Sequence, residues 1–138
     1  MKSAVPFLAA VLVLAGALAW AQEEPQVAEA ETAALSWLAL ADAGDFGSTW
    51  DQAASLFQAA IPKATWVGAL GNARQPLGKM IARKVKTAVF KRSLPGAPDG
   101  EYVVIKYDTQ FEHHTAIETV TPMLDKDGSW KVSGYFIN

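Results

Sequence analysis

Glu101-Tyr102-Val103-Val104-Ile105-Lys106-Tyr107-Asp108-Thr109-Gln110-Phe111-Glu112-His113 is the most regular stretch of this chain. Val103, Ile105, Tyr107, Thr109 and Phe111 fall on one side of an extended backbone, and Lys106, Asp108, Gln110 and Glu112 on the other. This alternation predicts a strand with one face on a core and one in water. Before it, Pro95-Gly96-Ala97-Pro98-Asp99-Gly100 reads as a turn. The turn joins it to a first strand over Met80–Leu94, whose alternation falters at Arg83-Lys84 and so predicts a bulge or strong bend. Beyond it, Thr115–Leu124 is a third strand, with Pro122 where an edge or bulge would tolerate it. Asp125-Lys126-Asp127-Gly128 is a tight turn into a last strand, Ser129–Ile137.

The N-terminal half has helical spacing. Val27, Ala30, Ala34, Trp37, Leu38 and Ala41 lie on one face, and Gly44 stands where a C-terminal cap belongs. Ser48 followed by Asp51 resembles a capping box opening a second helix with Ala54, Phe57 and Ile61 on one side. Pro62 ends that helix and can serve as the first residue of a third, through Trp66, Leu70 and Arg74. Gln75-Pro76-Leu77-Gly78 breaks the pattern. Three helices followed by four hairpin-linked strands predict an α+β fold, with the helices gathered on one face of an antiparallel sheet.

The chain has 138 residues and no cysteine, which excludes a disulfide scaffold, a thiolate zinc site and a cysteine nucleophile. Residues 1–21 read as a signal peptide: Lys2, an uncharged run from Ala4, and small residues at Ala19 and Ala21 predict cleavage after Ala21. One domain, residues 22–138, remains, and a periplasmic or secreted location is expected, with no membrane attachment after cleavage; the alternative is that the uncharged run from Ala4 is kept as an anchor. Charge is segregated: residues 22–51 hold seven acids and no Lys or Arg, and residues 52–98 hold eight basic residues and no acid. The basic block could form an anion-binding face around Arg83, Lys84, Lys86, Lys91 and Arg92. The favoured alternative is that it pairs with the acidic helix and strands beside it. A net charge of −2 and the export signal argue against a nucleic-acid partner.

Arg74-x-Pro76-Leu77-Gly78, Leu94-Pro95-Gly96-Ala97-Pro98-Asp99-Gly100-Glu101-Tyr102, Glu118-Thr119-Val120-Thr121 and Asp127-Gly128-x-Trp130-Lys131-Val132-Ser133-Gly134-Tyr135 occur in that order. In this the chain resembles a family of small exported bacterial proteins known only as a domain of unknown function. The resemblance implies a place in the nuclear-transport-factor-2-like (NTF2-like, cystatin-like) group, in which a curved sheet wraps helices as a cone, often leaves a pocket, and often dimerises through the sheet. It brings no catalytic residues with it.

Trp37, Trp50 and Trp66 are expected to pack in the core, or to line a cavity for an apolar ligand. Arg74, at the end of the third helix, could cap carbonyls, pair with an acid, or hold a ligand carboxylate. Tyr107 and Tyr135 could reach a pocket through their hydroxyls. Glu118 is the strand acid best suited to act as a buried base. His113 and His114 point to opposite strand faces and do not make a metal site, and Asp125-x-Asp127-Gly128 lacks the remaining ligands of a calcium loop. No nucleophile elbow, phosphate loop or zinc motif is present. The expectation is therefore a non-catalytic binding domain without cofactor or metal. Its small pocket between helices and sheet would use Trp50, Trp66, Arg74, Tyr107, Glu118 and Tyr135 for a small apolar or anionic ligand. Two alternatives stand beside it: a homodimeric interaction module using the sheet face or the basic segment 79–92, and a small lyase or isomerase of ketosteroid-isomerase type with Glu118 or Asp108 as general base and Tyr107 as donor.

Overall fold

In the computed structural model, which describes residues 24–138, four antiparallel strands lie side by side in chain order. They are β1 (Met80–Lys91), β2 (Tyr102–Phe111), β3 (Thr115–Leu124) and β4 (Trp130–Ile137). The apolar leader and the cleavage expected after Ala21 lie outside the described residues. The alternation of β2 is realised: Val103, Ile105, Tyr107, Thr109 and Phe111 are all buried, while Lys106 and Gln110 are exposed. β1 is irregular at two places, between Met80 and Ala82 and between Val85 and Thr87, so Arg83-Lys84 sits between two shifts of register. Pro122 marks a further shift in β3, where a residue without an N–H costs no ladder bond.

Among the described residues four helices precede the sheet: α1 (Pro25–Asp42), α2 (Phe46–Asp51), α3 (Ser55–Ala60) and α4 (Lys63–Arg74). A 3-10 turn over Gln75–Leu77 follows. All six residues of the α1 stripe are buried, and Gly44 takes the left-handed conformation of a cap, φ 75°. The second helix is corrected, because its stretch divides into α2 and α3. Ala54 is extended (ψ 150°), and its N–H donates to Val132 O at 2.8 Å. Ser55 donates its N–H and its hydroxyl to the two carboxylate oxygens of Asp125, at 2.9 and 2.6 Å. Bonds to β4 and to the β3–β4 turn thus replace the ones a continuous helix would make. The cap of α2 is Asp45, whose side chain accepts from the Ser48 N–H, and Pro62 caps α4 from outside it.

Gly78 turns the chain from the helices into β1. Its φ is 76°, and a side chain there would come within 2.9 Å of Glu112 Cβ and His113 Cδ2. Only glycine meets both conditions. The core then forms where α1 lies on the inner sheet face and α4 adds Trp66 and Leu70, joining Trp37, Leu38, Ile105, Tyr107, Val120 and Tyr135 among others. Among the described residues no helix is long and apolar enough to cross a membrane, and no cluster of three or more metal-ligating side chains forms.

Candidate functional site

Cross-strand register brings the inner-face polar residues together. Tyr107 stands opposite Glu118, and Val120 opposite Tyr135. Glu118 is fully buried. Its Oε1 accepts from Arg83 Nε at 2.7 Å and from the Thr109 hydroxyl at 2.5 Å, and its Oε2 accepts from the Tyr135 hydroxyl. Arg83 reaches onward to Asp42 at the end of α1, donating from Nη1 and Nη2 at 2.8 and 2.9 Å. Arg74 donates to Asp42 Oδ1 at 2.7 Å and to the Tyr135 hydroxyl at 3.3 Å, and lies 4.9 Å over the Phe111 ring. Two guanidiniums and two carboxylates therefore neutralise one another in a site that ties α1 and α4 to β1, β2, β3 and β4.

The electrostatics follow. Burial disfavours charge on Arg83, but hydrogen bonds and charge from Asp42 and Glu118 outweigh it and hold the guanidinium protonated. Burial and then the neighbouring Glu118 charge push the Tyr135 phenol far up, so it is a donor at every ordinary pH. For Asp42, burial raises the pKa, yet the bonds from Arg83 and Arg74 prevail and hold it below the usual aspartate value. The unfolded chain therefore binds the proton first as pH falls. The contribution of Asp42 to stability is whole above about pH 4 and is lost as pH drops through the lower folded pKa. Urea midpoints measured from pH 7 to pH 3 should fall in the acid limb, and Asp42→Asn should flatten that limb.

Arg74, Glu118 and Tyr135 are thus brought together, with Arg74 paired to an acid. Tyr107 shares their face but not their bonds. It is 1% exposed and its hydroxyl has no hydrogen-bond partner among the described residues, and burial pushes its pKa up to about 12. Such a hydroxyl costs stability, so Tyr107→Phe should leave the melting temperature unchanged or raise it, by up to about 1 kcal/mol in unfolding free energy.

Trp50 and Trp66 are not part of this cluster. The Trp66 indole donates to the Thr49 hydroxyl (2.9 Å), that of Trp37 to Thr49 O (2.8 Å), and that of Trp50 to Ile61 O (2.9 Å). Trp37 lies between Trp66 and Tyr135, with ring centroids 6.3 and 5.1 Å away, and so links the aromatic core to the ion network. Sequence reasoning missed Asp42, Arg83 and Thr109 as partners in one site. The signal available was the complementary charge of the first two blocks. The anion-binding face around Arg83 is corrected, because Arg83 points inward while Lys84, Lys86 and Lys91 stay exposed. Asp108 lies on the outer face opposite Ile117, away from Tyr107.

A groove of about 490 Å³ opens where α1 and α2 meet the start of β4. Trp37 and Val132 form its deeper wall, Trp130 lines it from β4, and Ser36, Ser48 and Gln52 supply neutral polar groups. Trp130 is steadied by an indole N–H bond to Glu29 on α1 (3.1 Å), and Lys131 pairs with Asp127 (3.1 Å).

Comparison of the chain with curated proteins and with solved structures finds no match. Residues 33–135, from the middle of α1 to near the end of β4 and so including both the ion network and the groove, match a family described as a protein of unknown function (DUF4019), and the chain belongs to that family.

Proposed function

We propose that this protein is an exported small-molecule-binding domain of the NTF2-like cone type, without catalysis, whose ligand sits in the groove between α1 and β4. The observation that carries the reading is the groove itself. Its volume of about 490 Å³ lies within the range of small-ligand sites, and its lining of aromatic and aliphatic walls with a few neutral polar groups is the usual composition of such sites. The inner-face cluster is a poorer candidate. The donors and acceptors of Arg74, Arg83, Asp42 and Glu118 are committed to one another, and a ligand would have to break those pairs to enter. Glu118 is equally poorly placed as a general base, since both its oxygens already accept from protein donors. The expected test outcome is a small molecule retained in native mass spectra of protein exported by a periplasmic host. The same preparation of Ser36→Trp, which plugs the groove with an indole, should lose it. Retention undiminished in Ser36→Trp would move the site elsewhere.

A second reading is a homodimer through the outer sheet face. Phe136 is 67% exposed and Val89 47% exposed on that face, which no helix among the described residues covers. On this reading Phe136→Glu converts a dimer into a monomer by light scattering, and a monomeric wild type rejects it.

A further inference from the structure

We infer that the groove between α1 and β4 takes a neutral, polyhydroxylated ring, a mono- or disaccharide, and this inference rests on the reading of the groove as the ligand site. Three features of the lining support it. First, the polar groups are of the kind that both donate and accept: the hydroxyls of Ser36 and Ser48 and the amide of Gln52. None of these side chains bonds to another protein group among the described residues. A sugar hydroxyl also donates and accepts, so each can be satisfied by such a partner in either sense.

Second, the lining offers no spare charge. Among the described residues Lys131 is the single charged one in the lining, and its ammonium lies 3.1 Å from Asp127 Oδ2 and 3.9 Å from Asp125 Oδ2. An anion would have to displace these carboxylates, and a cation would find no unpaired acid in the lining. A wholly apolar ligand would strip water from Ser36, Ser48 and Gln52 without replacing its hydrogen bonds, which is unfavourable. Third, Trp130 presents apolar aromatic surface to this space, backed by the buried Trp37. A pyranose has an apolar C–H face and a polar rim, and this pairing of an indole wall with hydroxyl and amide groups matches both. The Glu29 bond to the Trp130 indole holds that wall before any ligand arrives, which lowers the ordering cost of binding.

The test is an NMR titration of protein produced from the full-length chain, following the indole N–H signals of Trp37 and Trp130 and the side-chain amide of Gln52. The probes are glucose, N-acetylglucosamine, maltose and N,N′-diacetylchitobiose, with decanoate as the apolar and citrate as the anionic comparison. The expected result is saturable movement of all three reporters with at least one saccharide. The doubly substituted Ser36→Ala, Gln52→Ala protein should bind that sugar at least about tenfold more weakly with its melting temperature unchanged. Movement with decanoate or citrate but no sugar would overturn the ligand class while leaving the groove as the site. No movement with any probe, or sugar-dependent shifts confined to other residues, would overturn the ligand class and the groove reading together.

Discussion

Glu118→Ala is expected to cost about 3–5 kcal/mol of unfolding free energy, the range for breaking a buried ion pair from one side. The side chain is fully buried, and its removal leaves Arg83 Nε and the hydroxyls of Thr109 and Tyr135 without their acceptor. It also leaves Asp42 to answer two guanidiniums whose side chains are 6% and 7% exposed. The measurement is urea unfolding at pH 7 followed by tryptophan fluorescence. Because whole domains are stable by only about 5–15 kcal/mol, the variant should melt far below the wild type. A loss below about 1 kcal/mol would mean that the network is solvated and weak. Adding Arg83→Met to Glu118→Ala should cost less than the two single losses together, because the second change removes the cation stranded by the first.

Trp37→Ala should be of similar size, about 3–5 kcal/mol, as for other large aromatic truncations in cores. Trp37 is 3% exposed, touches Trp66 and Tyr135, and satisfies the backbone carbonyl of Thr49. The substitution removes ring area and leaves a cavity and an unpaired acceptor. It also deepens the groove, of which Trp37 is a wall. Thermal unfolding by near-ultraviolet circular dichroism is the check, with Trp130→Ala as the contrast. Trp130 is only half-buried, so its loss should affect stability much less and any groove ligand much more. Equal destabilisation by both would show that the groove wall and the core are not separate units.

Much of the architecture was legible because helix and strand announce themselves at short range. The buried stripe of α1 and the inner face of β2 agree residue for residue with the 3.6 and 2.0 periodicities. The division of α2 from α3 was not legible, since it depends on acceptors at Val132 and Asp125, about 70 or more positions along the chain. Arg74 was correctly placed at a helix end with pairing to an acid among its options, but the choice of Asp42 was beyond reach. Arg83 looked like one more cation in a basic run. The two shifts of register around it decide that it points inward while Lys84 points out.

By itself, then, the sequence determined the α+β order, the meander of strands, the inner and outer faces of β2, and the complementary charges of the first two blocks. These are properties of neighbours a few residues apart and of composition. Only the tertiary structure decided that Asp42, Arg74, Arg83, Glu118 and Tyr135 neutralise one another, and that the open groove lies instead beside Trp37 and Trp130. Arg83 meets Asp42 across 41 positions and Glu118 across 35. No local period encodes which charge will answer another over such distances, because the choice is made by how α1 is laid across the sheet.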